Sequence, residues 1–123
     1  MYTWYVPDGY VPADTDGRRP AMIGHEAIAI LNDHQQEANL AVEVFYCDCE
    51  PMKPQRFVIS PCRSCRIIIG AEYQLDGSLC IDVPANRPYS LKIMSDIPLH
   101  IQFTRVDTRD GNLALMSVML HAE

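Results

Sequence analysis

The most regular stretch of the chain is Leu99-His100-Ile101-Gln102-Phe103-Thr104-Arg105-Val106-Asp107, where apolar and polar side chains alternate almost one by one. A period of two puts Leu99, Ile101 and Phe103 on one face of an extended strand and His100, Gln102 and Thr104 on the other, with the core on the apolar side. Similar alternating or β-branched runs recur roughly every eight to twelve residues. They predict strands at Thr3–Val6, Met22–Leu31, Ala38–Cys47, Arg56–Ile59, Cys65–Ile69, Leu79–Asp82, Tyr89–Met94 and Leu99–Arg105, with Leu113–Leu120 as a further one. That last run, with Leu113, Leu115, Met116, Met119 and Leu120, would suit a helix as well; the Asp110-Gly111 turn before it favours a strand. The expectation is an all-β antiparallel β-sandwich of about eight strands, forming one domain over residues 1–123.

The connections carry turn chemistry: Pro7-Asp8-Gly9, a polar stretch at 13–20, Asn32-Asp33, Glu50-Pro51-Met52-Lys53-Pro54, Asp76-Gly77 and Asp110-Gly111. Proline presets φ, and glycine and asparagine accept positive φ. Nine prolines in 123 residues also make long helices improbable.

With 48% apolar and 21% charged residues, the chain has the makeup of a folded domain and not of a disordered or low-complexity one. Its apolar runs, such as Ala27–Leu31, fall far short of the roughly 18 residues a membrane span needs, so no membrane insertion is expected. Residues Met1–Pro7 carry neither a basic nor a long apolar leader, and a cytoplasmic location is the expectation. Sixteen acids against ten bases leave a net charge of −6, with −5 of it in residues 1–61 (nine acids, four bases). That balance opposes duplex binding, whose affinity comes from neutralising phosphates.

Five cysteines, an odd number, point to reduced thiols rather than a disulfide framework. Cys47-Asp48-Cys49 followed by Cys62-Arg63-Ser64-Cys65 resembles a four-thiolate zinc site in outline. Only the second pair has the two-residue spacing that aims both sulfurs at one ion; Cys-x-Cys on a strand sets them about 7 Å apart. The favoured reading is ordinary small thiols. A metal site at Cys47, Cys49, Cys62 and Cys65, or a redox pair at Cys62 and Cys65, is the alternative.

In Met22-Ile23-Gly24-His25-Glu26, alternation places His25 with Ile23, Ala27 and Ala29, and Glu26 with Ile28 and Ile30. Each ionisable group shares a face with apolar ones, which is costly unless something pairs with it; a solvated strand end and a ligand contact both remain open. Trp4 stands among Tyr2, Tyr5 and Tyr10, suited to packing or to stacking on a sugar or base. Arg105, Asp107 and Arg109 alternate in sign and suggest a surface ion pair of small energetic weight. No nucleophile elbow, phosphate loop, H-E-x-x-H or G-x-G-x-x-G is present, so nothing compels an enzyme, and no cofactor is expected.

Taken in order, Trp4 and Gly9-Tyr10-Val11-Pro12, His25-Glu26 in a strand ending Ile30-Leu31-Asn32, Val42-Glu43-Val44-Phe45-Tyr46 with Glu50-Pro51, and Gln102–Arg109 leading to Asn112-Leu113-Ala114-Leu115 have a familiar spacing. The chain resembles the sensory rhodopsin transducer family over nearly its whole length. The resemblance implies a jelly-roll type of β-sandwich assembled as a cyclic homotetramer, without catalytic activity. It also implies binding of a small molecule, a sugar or related metabolite, and as an alternative an adaptor role beside a membrane sensor such as a sensory rhodopsin. Carried over onto matching positions, the ligand-binding candidates are Trp4, His25, Glu26, Asn32, Gln102, Arg105, Asp107 and Asn112. Trp4 would stack on the ligand, and His25, Asn32, Gln102 and Arg105 would hydrogen-bond to it. The cysteines are not features associated with the family.

Overall fold

The computed structural model describes residues 1–12, 25–70, 79–107 and 114–123. Nine strands follow in chain order: β1 (Tyr2–Gly9), β2 (His25–Asn32), β3 (Ala38–Phe45), β4 (Gln55–Ile59), β5 (Arg63–Ile69), β6 (Leu79–Ile81), β7 (Tyr89–Ser95), β8 (His100–Asp107) and β9 (Ala114–Met119). They form a four-stranded sheet in the order β1-β7-β3-β4 and a five-stranded sheet in the order β6-β5-β2-β8-β9. Every pairing is antiparallel except β5 with β6, which is parallel. The β-sandwich expected from alternation is therefore what the chain adopts. A jelly-roll winding is a narrower description that these two strand orders do not single out. The run that suited either helix or strand is strand β9, hydrogen-bonded to β8.

Period-two burial explains the layers. In β7 the burial alternates strictly, with Tyr89, Leu91, Ile93 and Ser95 inward and the residues between them half-buried. Trp4 and Val6 of β1, Leu40, Val42 and Val44 of β3, and Ile101 and Phe103 of β8 join them in the core. β2 and β5 lie inside the five-stranded sheet, and where their apolar residues pair both faces are covered, so Ala27 and Ile68 are buried although they point away from the core that Ile28, Ile67 and Ile69 fill.

The register also fixes which chemistry shares an end. The first residues of β2 and β7 and the last of β1, β3, β5 and β8 lie together at one extremity, the Tyr89 end. The other extremity, the Asn32 end, holds the β4–β5 turn, where Cys62 takes φ 54° and its N–H donates to the His34 carbonyl at 3.0 Å.

That geometry separates the two cysteine pairs. Cys47 and Cys49 follow β3 at the Tyr89 end, whereas Cys62 lies in the β4–β5 turn and Cys65 in the first half of β5, toward the Asn32 end. The separation is a strand length of roughly 25 Å, at about 3.3 Å per residue. One tetrahedral ion cannot hold all four, and among the described residues no group of three or more His, Cys, Asp or Glu side chains is placed to bind a metal. All five cysteines are free thiols. No helix among the described residues is long and apolar enough to cross a membrane.

Candidate functional site

Glu26 is the second residue of β2 and points inward, where it is 1% exposed. A buried carboxylate needs partners, and three elements supply them. Arg105, directly opposite on β8, donates from Nε to Oε2 at 2.7 Å. Tyr89, the first residue of β7, donates its hydroxyl to Oε1 at 2.7 Å, and the Tyr10 backbone N–H donates to the same oxygen at 2.6 Å. Arg105 Nη2 also donates to the Asp8 carbonyl at 2.9 Å. One carboxylate thus joins β2 and β8 of one sheet to β7 and the end of β1 in the other.

Local sequence makes this possible. The β1–β7 pairing shifts register between Val6 and Gly9, which brings Gly9 opposite Tyr89. A Cβ at position 9 would lie 2.3 to 2.6 Å from atoms of the Tyr89 ring, so only glycine lets the ring reach across the strand to Glu26. Burial pushes the Glu26 carboxyl above the ordinary carboxylate range, against the opposing pull of the Tyr89, Arg105 and Tyr10 donors. Burial and the neighbouring carboxylate raise the Tyr89 phenol. Burial works against the Arg105 charge, but the Glu26 hydrogen bond and charge outweigh it and hold the guanidinium above its usual range.

Beside this network opens a cleft of about 210 Å³ lined by Pro7, Phe45, Tyr46, Cys47, Pro88, Tyr89 and Ser90. Tyr89 belongs to both features. Arg87 lies over the Tyr46 ring, 4.1 Å from its centroid, as a cation over an aromatic face. Its Nη2 donates to Asp48 Oδ1 and, at 3.2 Å, to Cys49 Sγ. Ser90 Oγ closes one wall by donating to the Pro7 carbonyl at 2.7 Å. The cleft walls are thus aromatic and proline rings with one serine hydroxyl, and the Arg87 guanidinium backs the Tyr46 wall.

The structure brings together two of the eight candidates, Glu26 and Arg105, and they bond to each other. Arg109, part of the surface ion pair expected around Arg105, lies outside the described residues. His25 is buried at the same end but on the opposite face of β2, and Asp107 closes β8 opposite Ala114. Three candidates serve elsewhere. Trp4 is 1% exposed within the core and presents no face for a ligand. Asn32 is fully buried at the far end, where its amide donates to the carbonyls of Gln36, Ile59 and Ser60 and its Oδ1 accepts from the His34 N–H, stitching turn to strand. Gln102 lies on the outer face of β8 and donates to Ser117 Oγ, away from the cleft. Asn112 lies outside the described residues.

Tyr89, Tyr46 and Arg87 are additions to the sequence candidates. Tyr89 reads as one more apolar position of an alternating strand, and the signal that marks it is the buried glutamate needing donors from another strand. Arg87 sits in a connection, where alternation says nothing, and Tyr46, which alternation places inside the Ala38–Cys47 strand, falls just past the end of β3.

Fold and site define a two-sheet β-protein with a polar lock and an aromatic-walled cleft at one end. The model of the Anabaena sensory rhodopsin transducer family matches residues 1–122, and the chain belongs to that family. Among solved structures, the crystal structure of Thermotoga maritima 1070 is similar at a TM-score of 0.80 and 26% identity, covering 100% of this chain and 95% of that one. The Anabaena sensory rhodopsin transducer is similar at a TM-score of 0.67 and 28% identity, covering 90% of this chain and 92% of that one. No curated protein sequence matches the chain.

Proposed function

We propose that this transducer-family protein is a non-catalytic cytoplasmic sensor subunit, a homotetramer in which each cleft takes a small hydroxylated metabolite such as a monosaccharide. The observation that supports this is the double role of Tyr89: its ring lines the cleft while its hydroxyl bonds Glu26. A ligand held against the half-buried Tyr46 would therefore press on the buried Tyr89 ring at the cleft floor, the group that ties β1, β2, β7 and β8 together. The cleft holds about 210 Å³. Sites for drug-sized molecules run to roughly 300–1000 Å³, so this one favours a single-ring ligand.

The test is thermal-shift and calorimetric titration against a panel of monosaccharides, polyols and nucleosides. Selective binding stabilises the fold by RT ln(1 + [L]/Kd) and so raises the melting temperature, and Tyr46→Ala abolishes the rise. A flat response across the panel at millimolar concentration overturns the reading.

A second reading, an adaptor to a sensory rhodopsin, is favoured by the family itself and by the apolar side chains that β9 leaves exposed. Its test is direct titration of the purified protein onto a detergent-solubilised sensory rhodopsin from the same cell. No measurable complex at micromolar concentrations removes it.

A further inference from the structure

The five thiols are not equivalent. Burial pushes Cys65 and Cys80 above the usual thiol range, with the Asp82 carboxylate adding to the effect at Cys80. Cys62 is exposed, but its Sγ–H donates to the His34 carbonyl at 3.5 Å, a bond that holds the proton in place. Cys47 and Cys49 differ from all three. Both are exposed, in a bend just past the end of β3, and Cys47 lines the cleft. Arg87 Nη2 donates to Cys49 Sγ at 3.2 Å, and among the described residues no other cysteine sulfur accepts from a guanidinium. Asp48 Oδ1 and the Tyr46 ring hold that guanidinium in position. The attacking form of a thiol is the thiolate, and a cation donating to the sulfur stabilises its charge.

We propose that Cys49 and Cys47 form an oxidisable pair, in which Cys49 reacts with a hydroperoxide and Cys47 then closes a disulfide across Asp48. In the first step the Cys49 thiolate attacks the peroxide: an S–O bond forms, the O–O bond breaks, and the departing oxygen takes up a proton and leaves as an alcohol or, from hydrogen peroxide, as water. The sulfur is oxidised to a sulfenic acid and the peroxide is reduced. In the second step the Cys47 sulfur attacks that of Cys49: the S–S bond forms, the S–O bond breaks, and the hydroxyl leaves with the Cys47 proton as water. The bend matters here. An extended Cys-x-Cys sets its sulfurs about 7 Å apart, whereas a bend draws the α-carbons toward the roughly 4.4–6.8 Å of bridged pairs. Closing the bridge takes Cys49 from Arg87 and alters the cleft wall at Cys47, so the redox state of the pair reaches the cleft. The oxidation itself goes beyond the small-molecule reading and does not depend on it.

The test treats the reduced, full-length chain with hydrogen peroxide and maps the products by peptide mass spectrometry, with circular dichroism to verify folding. Wild type loses two hydrogens in the peptide that holds Cys47 and Cys49, and dithiothreitol restores them. Cys47→Ser stops at a Cys49 sulfenic acid that a 1,3-diketone probe traps, Cys49→Ser forms no bridge, and Cys62→Ser behaves as wild type. Arg87→Gln slows the loss of the Cys49 thiol roughly tenfold at neutral pH, and Arg87→Lys, which keeps the charge, recovers part of that rate. Absence of the bridge in wild type overturns the proposal, as does a bridge formed only between two copies, seen as a doubled mass on a non-reducing gel. Oxidation of Cys62 ahead of Cys49 overturns the assignment of the nucleophile. An Arg87→Gln rate equal to that of wild type overturns the part given to the guanidinium.

Discussion

Glu26 and Arg105 occupy directly opposite positions on β2 and β8, with Nε to Oε2 at 2.7 Å, so the sheet's own register builds the ion pair. The carboxylate is buried and the guanidinium half-buried, which makes loss of the cation far worse than loss of an exposed partner. Arg105→Met is expected to destabilise the fold by about 3 kcal/mol in urea titration. Adding Glu26→Leu recovers much of that loss, since the stranded charge then goes too. Additive losses in the double variant would argue that the two side chains act independently.

Acid titration should report Glu26. Its protonation range in the folded chain lies above the ordinary 4.5, chiefly through burial, so at pH just above 4.5 the folded state holds a proton that the unfolded chain has released. The stability from this source is fully present below the unfolded value and is lost as pH rises through the folded range. Relative to Glu26→Gln, wild type loses stability with rising pH over that window. Urea midpoints measured at half-unit steps check this, and parallel curves for the two proteins would refute it.

Gly9 and Tyr89 should couple. Gly9→Ala forces a methyl into the Tyr89 ring and displaces the hydroxyl from Glu26. The expected cost of that overpacking is about 1–3 kcal/mol. Tyr89→Leu removes the ring, after which Gly9→Ala is much less damaging. A double-mutant cycle measures the difference, and a coupling near zero contradicts the close approach.

Cys62 stands in left-handed backbone at φ 54°. A Cβ in that conformation costs about 1–2 kcal/mol. Cys62→Gly is expected to match or slightly exceed wild-type stability, because the relief outweighs the roughly 0.5–1 kcal/mol of added unfolded-state freedom. A chelator should leave the melting temperature unchanged, since the cysteine pairs occupy opposite ends. A drop in either experiment would restore the thiols to a structural role.

The sandwich is legible because its strands bury alternate side chains: β7 and β8 show that period openly, and Ala27–Ile30 of β2 with Ile67–Ile69 of β5 show the doubly apolar character of segments inside a sheet. The inward direction of Glu26 is equally readable from its parity with Ile28 and Ile30. What alternation does not encode is depth or the cross-sheet neighbour. Trp4 resembles a stacking surface because an aromatic near the chain start carries no mark of burial. Asn32 and Gln102 resemble ligand groups because polarity alone does not distinguish an asparagine spanning a turn from one facing a sugar. The cleft arises from Pro7, Tyr46 and Pro88, which come from three separate connections or strand ends and meet only through the register of β1, β3 and β7.

β2 carries Glu26 and Asn32 at its two extremities on the same inward face, with Ile28 and Ile30 between them. A misalignment by two residues preserves which side chains face the core, so greasy packing alone would tolerate it. Here it would drag Glu26 from its three donors and Asn32 from its carbonyls at once, stranding an anion and an amide in oil. The strand thereby proofreads its own alignment from both tips, and a refolding chain has little reason to linger in a slipped intermediate.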